Sequence, residues 1–225
     1  LCAEAFRAAG LADAWRRVRA VVVQPGVEFG DQEVQPYDRK RAAGLCAAAR
    51  ELPGMVLEGH STDYQSAAAL RALVEDGVAV LKVGPALTFA LREALFALEN
   101  IERELGAGEP CGLGEALERA MLADPSHWRA YYRGGERELR LARRFSLLDR
   151  CRYYWTVPAV QQAVERLLAN LRGRPFPWTL ASQYLPRQAV RLREGSLPAE
   201  PLALVRDAVQ EVLRDYAAAV RPAWR

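Results

Sequence analysis

The sequence predicts an α/β chain: the back part of an eight-stranded α/β barrel, followed by an all-helical carboxyl-terminal region. Three observations carry that expectation. The segments "RAVVVQPGVEF" (19–29), "GMVLEGHSTD" (54–63) and "VAVLKVGPAL" (78–87) each hold a short run of consecutive apolar or β-branched residues, then break into Gly, Pro or polar residues. Continuous rather than alternating runs mark strands buried on both faces, as in parallel sheets. Helical patterns separate the runs, which is the βα alternation of a parallel sheet. Finally, three parallel strands alone leave free edges that invite pairing, and closure into a barrel removes them. A whole barrel typically takes about 250 residues. The βα part here is assigned to residues 1–105, about three strands, with residues 106–225 a helical extension packed on it.

The elements follow in order. The opening Leu1-Cys2-Ala3 reads as mid-helix without an initiator methionine, so the amino-terminal barrel strands are expected upstream. After the first strand, "YDRKRAAGLCAAARE" (37–51) is a helix. "DYQSAAALRALVEDG" (63–77) is another, with Ala67, Leu70, Leu73 and Val74 on one face and Gly77 at its stop. The third strand leads into "PALTFALREALFALENIEREL" (85–105). There Leu87, Leu91, Leu95, Leu98, Ile101 and Leu105 recur every three or four residues, and Pro85 suits the first helical turn. Beyond residue 105 the strands cease. Residues 109–124, 125–133, 157–173 and 200–220 read as four helices, with Asp124 an N-cap before Pro125. The segment "RGGERELRLARR" (133–144) mixes Glu136 and Glu138 with its arginines, so it reads as a solvated, salt-bridged helix rather than a nucleic-acid patch.

Composition narrows the function. The chain has 225 residues, 51% hydrophobic and 26% charged, an ordinary globular balance. A net charge of +3 argues against nucleic acid or an anionic membrane as partner. No apolar run approaches the roughly 20 residues of a membrane span, and no basic start leads into an apolar h-region. The four cysteines, Cys2, Cys46, Cys111 and Cys151, are scattered without a C-x-x-C pair, as in a reduced, cytoplasmic chain. Motifs for a nucleophile elbow, a zinc-protease helix and a P-loop are absent.

Barrel chemistry sits at the carboxyl ends of the strands. Gln24, Pro25, Gly26 and Glu28 follow the first strand, Glu58, Gly59, His60, Ser61, Thr62 and Asp63 the second, and Lys82, Gly84 and Pro85 the third. A Glu, a His, an Asp and a Lys on one rim suit a metal or a sugar phosphate, and helix N-termini offer N–H groups to the phosphate. Structural roles compete. Thr62 or Asp63 serves equally as an N-cap. Lys82, one of only two lysines, lies in an apolar run, where a buried lysine must pair or shift its pKa; Glu58 on the neighbouring strand is the natural partner. His127 has no ligand spacing around it and reads as a surface or packing residue.

"VVVQPGVEF", "EGHSTDYQ", "LKVGPALTFALREALFALENIE", "DRCRYYW" and "SQYLP" together closely resemble the Z-type, non-catalytic subunit family of class II tagatose-1,6-bisphosphate aldolase. The resemblance runs from about Ala14 to near the carboxyl terminus and covers the second half of the family pattern. It implies a TIM-type (β/α)8 barrel related to zinc-dependent aldolases, supporting the activity and stability of a separate catalytic subunit. The implied setting is catabolism of galactitol or N-acetylgalactosamine through tagatose 6-phosphate. Where catalytic relatives carry metal-binding histidines, this sequence has Glu28 and Glu58, with His60 two residues on. By that alignment Glu28, Glu58 and His60 are the expected ligands of a divalent metal, zinc or similar. Glu28, Glu58 and Lys82 are the expected catalytic groups. Gly59, His60, Ser61, Asp63 and Gly84 are expected to bind the sugar phosphate, Gly84 by letting backbone approach it. The alternative implied by some relatives is a metal-dependent ketohexose-6-phosphate 4-epimerase, interconverting fructose 6-phosphate and tagatose 6-phosphate. The chain by itself, half a barrel with open sheet edges, is expected to be a fragment without independent activity.

Overall fold

The computed structural model describes residues 2–52, 54–175 and 177–221. Two compact units share the chain. The first comprises the described residues up to Phe29, Val34–Val83 and those from Asp215 onward; the second comprises Gly30–Glu33 and Gly84–Arg214.

The first unit is built on strands β1 (Ala20–Val23), β4 (Val56–Gly59) and β5 (Val78–Leu81), which form one parallel sheet in the order β1-β4-β5. Three parallel strands are what the apolar runs predict. Val22 pairs with Glu58 and Glu58 with Val80, so these three share a row and a face. A two-residue hairpin, β2 (Glu28–Phe29) against β3 (Val34–Gln35), follows β1. Short helices α1 (Cys2–Ala8) and α2 (Ala12–Trp15) precede the sheet. Helix α3 (Arg39–Arg50) starts at Asp38, whose carboxylate accepts from the N–H groups of Lys40 and Arg41. Helix α4 (Ala67–Glu75) starts at Ser66, whose hydroxyl accepts from Ala69 N–H. The N-cap is therefore Ser66, not Thr62 or Asp63.

One face of the sheet is covered. Leu57, Leu70, Leu73 and Val78 are buried there together with Ala219, and Val23, Leu81 and Tyr216 pack around them. The other face is open: Val22, Val56 and Val80 are 54%, 42% and 43% exposed. Strand side chains alternate between faces, so the runs that read as doubly buried are covered on one side only.

The second unit is helical. It contains α5 (Pro85–Leu105), α6 (Leu113–Ala123), α7 (Glu136–Phe145), α8 (Pro158–Leu171), α9 (Trp178–Tyr184), α10 (Pro186–Arg193) and most of α11 (Pro201–Val220). Helix α5 spans the predicted residues, from Pro85 at its first turn to Gly106 in the left-handed conformation at its end. Its stripe buries Leu95, Leu98 and Ile101 against Leu113, Leu117, Leu167, Leu171 and Leu204. Residues 125–133 differ from expectation. Pro125–His127 form a 3-10 segment capped by Asp124, turns rather than a helix carry the chain on to Tyr131, and Trp128 and Tyr132 are buried. Trp128 Nε1 donates to the Met121 carbonyl at 2.6 Å.

Two buried ion pairs sit in this unit. Arg92 Nε donates to Asp149 Oδ1 at 2.8 Å, and Thr88 Oγ1 donates to Asp149 Oδ2 at 2.6 Å. Arg143 is held by Glu118 and Glu136 and lies over the Trp128 ring, 4.8 Å from its centroid. Asp149 itself has a positive φ of 45°, a conformation Asp tolerates better than most residues.

Candidate functional site

Each strand of the sheet ends in a polar residue: Val23 leads to Gln24, Gly59 to His60, and Leu81 to Lys82. Backbone bonds fix this rim. His60 N–H donates to Val23 O at 2.9 Å and Lys82 N–H to Gly59 O at 3.0 Å, continuing the sheet one residue past each strand.

Glu58 and His60 lie two apart on an extended segment, so their side chains project the same way. His60 Nε2 and Glu58 Oε1 are 2.9 Å apart, and each side chain is 30% exposed. A second network lies beside it. Gln24 Nε2 donates to Glu28 Oε2 at 2.7 Å and to Ser61 Oγ at 3.0 Å, and Phe29 N–H donates to Glu28 Oε1 at 3.0 Å. Ser61 and Tyr64 adopt positive φ of 56° and 62°, a region costly for both residue types. The Tyr64 ring meets Phe29 edge-on, 5.3 Å between centroids.

The base of this loop is closed from far along the chain. Thr62 Oγ1 donates to Lys82 O at 2.7 Å, and the Tyr216 hydroxyl donates to Thr62 O at 2.8 Å. Burial pushes the Tyr216 phenol up to about 12, so it stays a donor across the physiological range. Gln65, also buried, accepts from Tyr37 N–H at 2.9 Å and donates to Gln35 O at 2.8 Å.

The rim thus brings together Glu28, Glu58, His60 and Ser61. Asp63, in the same loop, is buried at 3% exposure rather than presented on the rim. Gly59 has a packing reason to be glycine: a Cβ there would fall 2.9 Å from Val78 Cγ1. Lys82 is exposed and forms no ion pair with Glu58, whose carboxylate is engaged by His60. The expected buried Lys–Glu pair is therefore corrected. The strand has already ended at Leu81, and Lys82 stands exposed one residue beyond it, so nothing forces its ammonium out of water. Gly84 belongs to the second unit, where it is the N-cap of α5.

The donor set does not fit a metal centre. Among the described residues no three His, Cys, Asp or Glu side chains converge on a point that could hold an ion. Glu28 is turned to Gln24 and to its own neighbour's N–H, while Glu58 and His60 hold each other. What the rim offers is a carboxylate-oriented imidazole, a second carboxylate, a hydroxyl, an amide and an exposed ammonium. These are groups that hydrogen-bond hydroxyls and anions and can move a proton.

A groove of about 640 Å³ in the helical unit, lined by Phe89, Glu93, Phe96, Tyr184 and Arg187 among others, contains none of these residues. Tyr216 and Gln65 are participants that the sequence reading does not name, while Gln24 and Thr62 stand among its strand-end residues without a ligand role. Tyr216 gives no local signal, standing 154 residues from Thr62.

The family model for D-tagatose-1,6-bisphosphate aldolase subunit GatZ/KbaZ-like proteins matches residues 1–221. The chain belongs to this family. A D-tagatose-1,6-bisphosphate aldolase subunit GatZ of Salmonella enteritidis PT4 is 49% identical over 213 residues, 94% of this chain and 50% of the relative. The GatZ subunit of Klebsiella pneumoniae is 50% identical over the same share. A crystal structure from Sinorhizobium meliloti 1021, described as a probable tagatose 6 phosphate kinase, superposes with a TM-score of 0.91 at 50% identity. It covers 96% of this chain and 56% of that one. The chain spans about half the length of the curated relatives it matches. Among the described residues, no helix is long and apolar enough to cross a membrane.

Proposed function

We propose that this chain is the carboxyl-terminal part of an accessory, non-catalytic subunit of a class II tagatose-1,6-bisphosphate aldolase, working in cytoplasmic sugar-phosphate catabolism. In this reading residues 1–105 are the last βα units of a TIM-type barrel and residues 106–225 its helical extension. The catalytic class II subunit is the protein partner. The observation that carries the accessory reading is the family match over residues 1–221, together with relatives named as GatZ subunits of the aldolase. The rim keeps acids and a histidine at the strand ends. The half-exposed Val22, Val56 and Val80 support the barrel, because an inward barrel face is covered by the remaining strands. A sugar phosphate suits the rim: Glu28, Glu58, His60 and Ser61 present acceptors and donors for its hydroxyls, and exposed Lys82 carries the charge for its phosphate.

The deciding experiment uses the full-length protein. Mixed with a catalytic aldolase subunit, it is expected to co-purify with that subunit and raise its activity and half-life. Alone with fructose 6-phosphate and added divalent metal, it is expected to form no tagatose 6-phosphate. Turnover without the partner, lost in Glu58→Gln, would make the rim an active site and overturn the accessory reading.

A further inference from the structure

A second polar cluster, wholly within the helical unit, gathers around the 3-10 segment Arg150–Tyr154. The Arg150 guanidinium carbon lies 3.5 Å from the Tyr131 ring centroid and 4.9 Å from that of Tyr153. Tyr153 also carries Arg152 at 4.5 Å, and His127 stacks on it at 4.8 Å with 25° between planes. Tyr131 and Tyr153 are 52% and 43% exposed, so this cation–aromatic stack is a surface feature, not a core one.

Its arginines form no direct ion pair among the described residues. Elsewhere in the unit Arg92, Arg143, Arg144, Arg191 and Arg214 each hold a carboxylate. Among the described residues Arg150 and Arg152 hold none: their bonds run to backbone carbonyls and to the Tyr153 hydroxyl. The neighbouring acids are already engaged, Asp124 by Ser126 N–H and Asp149 by Arg92 and Thr88.

The orientation of Arg150 is fixed at one corner, where Nε donates to the His127 carbonyl. Its two Nη nitrogens have no hydrogen-bond partner among the described residues, and neither is a buried unsatisfied atom, so both face water. Two aromatic rings hold the guanidinium, one nitrogen anchors it, and the remaining pair forms a free fork. Such a fork matches two oxygens of one phosphate or carboxylate, and the rings limit the entropy lost on binding.

We propose that Arg150, flanked by Tyr131 and Tyr153 and seconded by Arg152, anchors an oxyanion site for the phosphate or carboxylate group of a small molecule. The site is independent of the strand rim.

The test titrates the full-length protein, labelled with ¹⁵N-arginine, with inorganic phosphate in one arm and malonate in the other. The Arg150 side-chain resonance is assigned by its loss in Arg150→Lys. A saturable shift of that resonance is expected in at least one arm, and the arm that gives it identifies the oxyanion. Tyr131→Leu, which removes a ring but no hydrogen bond, is expected to weaken binding several-fold. Calorimetric affinity is expected to fall about tenfold or more in Arg150→Lys, because a lysine keeps the charge and loses the fork. If neither anion shifts the Arg150 resonance while the protein stays folded by its melting curve, the proposal fails. It fails equally if both variants bind as tightly as the parent.

Discussion

The sheet unit and the helical unit solve the same burial problem to different degrees. In the helical unit every long helix finds neighbours. Leu98, Ile101, Leu113, Leu167, Leu171 and Leu204 are at 0% exposure, and the interior also takes in the guanidiniums of Arg92 and Arg143. In the sheet unit the strands find cover on one face only, and Val22, Val56 and Val80 stand in water on the other. A helix can bury its stripe against the next helix in the chain. A parallel sheet needs a layer on each face, or closure into a barrel, and local sequence cannot supply the second layer. Fully burying a valine stabilises by about 1.5–3 kcal/mol, so the three open positions mark several kcal/mol that covering strands would contribute.

The sharpest way to break this comparison is a charge on the open face. Val56→Asp places a carboxylate on the central strand, where it meets water if the face stays bare and apolar neighbours if strands cover it. In the full-length protein the expected cost exceeds about 4 kcal/mol, the range of an unpaired buried charge. In the 225-residue chain a change within about 1 kcal/mol is expected, as for a surface site. Urea denaturation of both forms measures the difference. Equal, small effects in both would mean that the face is open in the full-length protein too, and the barrel reading would be lost.

Next in size is the buried pair of the helical unit. Asp149→Asn keeps the size and tolerance of positive φ but leaves Arg92 charged and only 2% exposed without its counter-charge. A loss of about 3–5 kcal/mol is expected, with the double change Arg92→Met/Asp149→Leu costing much less. If the single and double variants melt alike, the pair is not the source.

Much of this architecture was legible and the reasons are local. The run "VVV" is a strand and the α5 stripe is a helix because hydrophobic period reports them. Glu58 and His60 project the same way by alternation along the strand, although the sequence reading gives Glu58 to Lys82 instead. What escaped depends on distance or on competing anchors. Tyr216 reaches Thr62 across 154 residues. Helices α9 and α10 are seven and eight residues long, and α9 follows Pro177 while α10 begins on Pro186, prolines that read as breaks. Lys82 reads as buried because its neighbours are apolar, yet it stands exposed one residue past the end of β5. The missing second layer misleads the doubly buried strand reading, and the strand's end at Leu81 misleads the Lys82 pairing.

A middle-sized test separates packing from ligand binding at Gly59. Adding a methyl there drives it into Val78, itself at 0% exposure, so Gly59→Ala should cost about 1–3 kcal/mol. Combining it with Val78→Ala makes room for the methyl. Recovery of stability in the double variant assigns the glycine to sheet packing; continued loss with intact folding elsewhere would point instead to a backbone role in the rim.

The smallest effects expected are those of acid, and they differ between the units by burial. In the sheet unit Asp76 is held below the ordinary carboxylate range chiefly by the hydrogen bond from Arg39, with burial opposing and the Tyr37 hydroxyl assisting. In the helical unit burial pushes Asp207 up, but hydrogen bonds from Arg214, Gln188 and Arg191 outweigh it and its carboxyl also ends low. A lowered folded pKa contributes stability that is fully present above the unfolded value, about 3.9 for Asp, and is lost as pH falls through the folded value. The melting temperature should therefore hold steady down to about pH 5 and decline below about pH 4. Asp207→Asn should melt below the parent at pH 6, with the gap closing as pH falls through the lowered value of the parent's carboxyl. Asp76→Asn should show the same convergence with a smaller gap, because the Arg39–Asp76 pair is more open to solvent, at 51% and 22% exposure against 4% for the Asp207 side chain. A gap that persists unchanged at low pH in either variant would trace the loss to shape rather than charge. A larger gap for Asp76 than for Asp207 would reverse the ranking of the two units.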